Sequence, residues 1–199
     1  ERDKILEQEK VFVTNTLANA LGTRMQRHLM YAEFDVAMNY IALQRAVSEK
    51  IGDQAGIAGS WVNQGLVKHS QDEHEEAVAA TLKALAIYEA AGNKRGMALA
   101  EENLGDQYRA IGDYRRAFDI AQKSLRLSEE TNHRRGIMIA LHGLAITYWQ
   151  QNNAEQAFAH LEKALVIARE LEDAVALAMI RTDTALQYRS FGQLDRALT

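Results

Sequence analysis

His69, Asp72, Glu73, His74 and Glu75 bring imidazoles and carboxylates, the common ligands of divalent metals, into one short stretch. The two histidines are not in a His-Glu-x-x-His frame, and a turn between them is expected to separate their directions. The stretch is therefore read as a solvated acidic turn, with no metal. Gly52, Gly56 and Gly59 suggest a phosphate-cradling loop. They follow no strand, and no Gly-Lys-Ser/Thr comes after them, so no nucleotide or other cofactor is expected. Ser, His and Asp all occur, but no activated nucleophile can be nominated, so no catalytic residue is assigned and the chain is not read as an enzyme. Arg134-Arg135 with Lys94-Arg95 would make a basic edge, read as solvated loop.

The recurring residues are more informative than any cluster, because they share one spacing of 40. Ala37, Ala77, Ala117, Ala157 and Ala197 form one series, and Gly56, Gly96 and Gly136 a second. Tyr108, Tyr148 and Tyr188 form a third; Gly65, Gly105, Ala145 and Ala185 form a fourth, small throughout. Leu85, Leu125 and Leu165 form a fifth, which Ile5 extends and Arg45 interrupts. Such self-similarity marks a stacked repeat, since one helix pair cannot bury both its faces alone.

Each unit reads as two helices. The third has helix A over roughly 94–110, a turn at Ile111-Gly112-Asp113, and helix B over roughly 114–131, with Asp113 as its cap. The same spacing starts A helices near Thr14, Gln54, Lys94, Arg134 and Ala174. It starts B helices near Phe34, His74, Tyr114, Ala154 and Leu194. Gly52-Asp53 and Gly92-Asn93 close earlier B helices. The units are 14–53, 54–93, 94–133 and 134–173, with partial units at 1–13 and 174–199, in one solenoid. Both ends fall inside repeats and residue 1 is Glu, so the chain is expected to be a piece of a larger protein. Gly65 and Gly105 are expected where two helices approach too closely for a side chain, with the recurring Ala of helix B as the opposite wall.

Composition agrees with an all-α chain. Pro is absent, and 47% of residues are hydrophobic against 25% charged. The formal net charge of −4 does not suggest a general nucleic-acid binder. No apolar run approaches the ~18 residues of a membrane span. Cys is absent, which excludes disulfides and thiol chemistry but identifies no compartment; the chain is expected in the cytoplasm.

These residues resemble the tetratricopeptide repeat family, whose pattern is Trp-x2-Leu-Gly-x2-Tyr, then Ala-x3-Phe, then Pro. Trp61, Gly65 and Ala77 match in one unit, and Leu104-Gly105, Tyr108 and Ala117 in the next. Leu144, Tyr148 and Ala157 follow, with Ala145 in the Gly place, then Tyr188 and Ala197. Lys68 and His28 stand where the Tyr belongs, and Thr81 and Ala121 where the Phe does. The spacing of 40 exceeds the usual ~34 and is similar to the long repeats of kinesin light chains and bacterial signalling regulators. HEAT and armadillo repeats have comparable lengths, but the Leu-Gly-x2-Tyr…Ala order favours the tetratricopeptide reading.

The resemblance implies a right-handed superhelix with the A helices lining a concave groove. On that face the helix period places Gly59, Val62, Asn63, Leu66 and His69, then Leu99, Glu102, Asn103, Asp106 and Arg109. Ile139, His142, Gly143, Ile146 and Trp149 follow, then Met179, Thr182, Asp183, Leu186 and Arg189. Asn63, Leu66, His69, Glu102, Asn103, Asp106, Arg109, His142, Ile146, Trp149, Asp183 and Arg189 are the candidate partner-binding residues. Asn63 and Asn103 resemble the family's clamp on a peptide backbone, or cap neighbouring backbone instead. Trp149 is a candidate hot spot, or packs on the next helix. The expected partner is a protein or peptide. The alternatives are an input domain sensing a ligand or peptide for an attached output domain, and a homodimer formed through the incomplete solenoid ends.

Overall fold

The computed structural model describes residues 15–192, all of whose regular structure is α-helix. The helices are α1 (Asn15–Met30), α2 (Phe34–Ile51), α3 (Gln54–Ser70), α4 (His74–Ala90), α5 (Lys94–Ala110), α6 (Tyr114–Glu130), α7 (Arg134–Gln150), α8 (Ala154–Glu170) and α9 (Ala174–Ser190). From α2 onward a helix begins at every twentieth residue, at the positions the 40-residue spacing assigns to helices A and B. The expected helix from Leu194, the partial unit over 1–13, Ile5, Ala197 and the chain ends proposed for dimerisation lie outside the described residues. No described helix is long and apolar enough to cross a membrane.

One turn is repeated throughout. The residues at 32, 52, 72, 92, 112, 132, 152, 172 and 192 all have positive φ, between 50° and 77°. After each of the eight turns through 172, the next residue's N–H closes the preceding helix. Asp53 N donates to the Ser48 carbonyl at 2.8 Å, and Asp113 N to that of Tyr108 at 2.8 Å. This is the left-handed C-terminal stop, and it satisfies carbonyls that the helix leaves open. The residue that closes one helix also caps the next: Asn93, Asp113, Asn153 and Asp173 accept from the backbone N–H three residues on. At Asp113 that bond, then the Arg116 side chain, holds the carboxyl below its usual range.

Gly and Asn suit the left-handed position, but Ala32 (φ 56°) and Glu172 (φ 53°) do not. An L-residue there costs about 1–2 kcal/mol, against about 0.5–1 kcal/mol of extra backbone entropy for Gly. Glu172→Gly is accordingly expected to raise stability by up to about 1 kcal/mol. A urea melt checks this, and a lower midpoint would contradict the turn geometry.

The chain divides into two compact units, Glu1–Asn103 and Leu104–Thr199. In the first, Met25, Ala37, Ile41 and Val67 form a buried cluster. Arg45, which interrupts the leucine series, is held by its neighbours: Nε donates to Ser60 Oγ (3.0 Å) and Nη2 to Gln64 Oε1 (2.8 Å). Its guanidinium lies 3.6 Å from the Trp61 ring centre, and Lys83 Nζ lies 4.3 Å from it. Burial pulls the Arg45 guanidinium below its usual pKa, and Glu49 acts in the other direction. In the second unit the core joins α7, α8 and α9 through Met138, Leu141, Leu161, Ile167 and Ile180.

The aromatic series is satisfied locally. Tyr148 meets Phe118 edge-on at 5.3 Å, and Tyr188 stacks on Phe158 at 4.1 Å. Where Tyr is replaced, the polar substitutes find partners: Lys68 binds Glu73 and Glu76, and His28 binds Glu33.

The close helix approaches differ from expectation. A Cβ on Gly105 would meet only Arg109 Nη1 at 3.5 Å and Ile120 Cγ2 at 3.9 Å, which is ordinary contact. The tight positions are the other glycine series. A Cβ on Gly56 would fall 2.3 Å from Ser48 Oγ, on Gly136 2.4 Å from Ser128 Oγ, and on Gly96 2.3 Å from Tyr88 Cδ1. Each of these glycines lies near the start of an A helix, against the end of the B helix before it. The next pair along is Ala168 and Ala176, both buried in one cluster.

Candidate functional site

The side chains singled out on the A helices fall into two groups. In the first compact unit they are bound into their own fold. Asn63 Nδ2 donates to Gln44 Oε1 (2.9 Å), and Gln44 is only 6% exposed. Asn103 Nδ2 donates to the Leu99 carbonyl one turn back at 2.8 Å. Leu66, His69 and Glu102 are half-buried. Val62, expected on the open stripe, is buried at 2% exposure, as suits an apolar residue between α3's other buried positions.

His69 and His74 also depart from expectation. Their rings meet at 5.2 Å despite the turn, because that turn reverses the chain and brings the two helix ends together. His74 Nε2 lies 3.9 Å from Asp72 Oδ1. No group of three or more His, Cys, Asp or Glu among the described residues could hold a metal. Arg134 and Arg135 are not a free basic edge; they pair with Glu170 and with Asp173 (2.7 Å).

In the second unit α5, α7 and α9 bring five of the candidates together. Arg109 pairs with Asp106 one turn back on α5. Its guanidinium lies over α7, where a Cβ on Gly143 would come within 3.2 Å of Nη1. Gly143 thus makes room for the arginine. His142, beside it, is buried at 7% exposure, and its Nε2 is 2.7 Å from Asp183 Oδ2 on α9. The Asp183 charge also acts on Arg109, but burial outweighs it and pulls the guanidinium below its usual pKa. At the far end of α7, Trp149 Nε1 donates to Ser190 Oγ of α9 at 2.9 Å.

The result is a polar ladder, Asp106–Arg109 and His142–Asp183, laid across three neighbouring A helices. His142 is buried and Arg109 half-buried, each paired, whereas Asp106 and Asp183 keep side-chain exposures of 56% and 28%. Leu186 (40%) and Met179 (48%) are exposed on α9, Ile146 is half-buried on α7, and Arg189 is exposed. The face therefore offers fixed carboxylate acceptors beside open apolar surface.

A model of the tetratricopeptide repeat family matches residues 56–130 and 136–199. No curated protein sequence matches the chain. Among solved structures, the chain is similar to BtubC from P. vanneervenii, with a TM-score of 0.80 and 14% identity over 98% of this chain and 80% of that one. It is similar to a Rap protein complexed with competence and sporulation factor (TM-score 0.80, 19% identity, 96% of this chain), and spans 55% of that protein's chain. A Podosopora anserina structure of nearly identical kinesin light chain TPR-like repeats aligns with a TM-score of 0.69 and 15% identity, over 93% of this chain and 92% of that one. At these identities the likeness shows the fold.

Proposed function

The chain belongs to the tetratricopeptide repeat family, whose helix pairs are protein-interaction scaffolds, and we propose that the A-helix face of its second compact unit receives a segment of a partner protein. The observation that carries this is the ladder of Asp106, Arg109, His142 and Asp183 beside Leu186 and Met179. Pairing with Arg109 and with His142 orients the two carboxylates without consuming all their acceptor sites, so they can take backbone N–H groups from a peptide with little reorganisation. The apolar residues beside them supply contact area. The similarity to a Rap protein solved with competence and sporulation factor supports a bound-factor role for this fold.

The test selects peptides from a random display library on the whole chain and measures their affinity for two variants. Leu186→Asp puts a charge on the A-helix face; Val166→Asp puts one on α8, where Val166 is 49% exposed. A buried or crowded charge in an apolar contact costs at least about 1.4 kcal/mol, or tenfold in affinity. The selected peptides are expected to weaken at least tenfold on Leu186→Asp and to be indifferent to Val166→Asp. The reverse pattern would remove the site from this face.

A further inference from the structure

Arg24, Arg27, His28, Tyr31, Glu33 and Tyr40 line a cavity of about 580 Å³ in the first compact unit, at the turn between α1 and α2. The repeat gives these positions a reference. Residues in the Arg27 place of later units are Val67, Gln107, Thr147 and Gln187, uncharged and no more than 1% exposed. In the Arg24 place, Leu104 and Leu144 are buried. Packing thus fills these positions with uncharged side chains elsewhere, whereas here they carry two exposed guanidinium groups. Neither arginine has an ion-pair partner among the described residues. They lie three residues apart on one helix face, so both can reach one ligand.

Three of the other four lining residues, His28, Tyr31 and Tyr40, are aromatic. His28 and Tyr40 stack at 5.2 Å with their planes 15° apart, and Tyr31 is 67% exposed. Glu33 is the one carboxylate of the lining, and it is bound to His28 Nδ1 at 2.5 Å. Two guanidinium forks match the oxygens of a phosphate, and the stacked rings offer a plane for a flat group. The volume is in the range of small-ligand sites, about 300–1,000 Å³.

We infer that this cavity binds a phosphate monoester carried on an aromatic group. The α1 C-terminus points the negative end of its dipole here, so capture depends on the two arginine side chains. The ligand is either a free aryl phosphate or a phosphotyrosine side chain, which share this chemistry.

Titration calorimetry on the whole chain tests it with phenyl phosphate, benzyl alcohol and a short phosphotyrosine peptide. Phenyl phosphate is expected to bind, and benzyl alcohol is not. The exposed double variant Arg24→Gln/Arg27→Gln is expected to keep its melting temperature and to lose phenyl phosphate affinity at least tenfold. Peptide binding tighter than phenyl phosphate supports the side chain as source, and equal binding supports the free ester. Unchanged affinity in the double variant, no binding of phenyl phosphate at millimolar concentration, or equal binding of benzyl alcohol would each overturn the assignment. Leu186→Asp is expected to leave this binding intact, so the two sites fail or stand separately.

Discussion

Gly96→Ala is expected to destabilise the chain by about 1–3 kcal/mol, although the same change in an unencumbered helix stabilises by up to about 1 kcal/mol. The sign is decided by Tyr88. A methyl group on residue 96 would stand 2.3 Å from Cδ1, 2.4 Å from Cε1 and 2.6 Å from Cγ of its ring. The ring is 5% exposed, and its inner atoms cannot swing aside as a serine hydroxyl can at Gly56 or Gly136. Either the ring or the start of α5 must move. Gly105→Ala is the control on the same helix. Its new methyl group would find only ordinary contacts, so it should be neutral or gain up to about 1 kcal/mol. Urea denaturation of both variants reads the contrast directly. Equal effects of the two would mean that α4 and α5 do not approach as described.

Ala117→Leu is expected to cost about 1–3 kcal/mol by overpacking. Ala117 is completely buried in the first turn of α6, as Ala37, Ala77 and Ala157 are in α2, α4 and α8. Four identical residues at full burial mark an enclosed position, and close-packed interiors leave little room there for further carbon. Asp119→Leu, two residues on and exposed, adds bulk to the same helix without entering the core, and should stay within about 0.5 kcal/mol of the parent. A melting curve for Ala117→Leu that overlies the parent's would contradict the assigned packing.

Much of this architecture is legible in the residues because each repeat poses the same problem and solves it with the same side chain. Gly52, Gly92 and Gly112 mark left-handed turns, and Asp113 marks a cap, since few residue types can serve there. Ala32 and Glu172 give no such signal; their turns are imposed by the helices on either side. Small residues recur at Gly96 and at Gly105, but only the structure shows which one faces a ring. At the candidate site, helical periodicity places Asp106, Arg109, His142, Trp149 and Asp183 on one face. It does not reveal that His142 is buried against Asp183, or that Asn103 turns back onto its own helix. Those choices depend on which acceptor lies nearest in space. The Arg24–Arg27 cavity leaves its trace as charge at positions that are uncharged in later units.

Hydrogen exchange on the whole chain, with and without a saturating display-selected peptide, locates the partner on one set of helices or the other. Slowed exchange is predicted in α7 around His142–Trp149 and in α9 around Asp183–Arg189, with α6 and α8 little changed. Protection confined to α6 and α8 would show that the partner lies on the other set of helices.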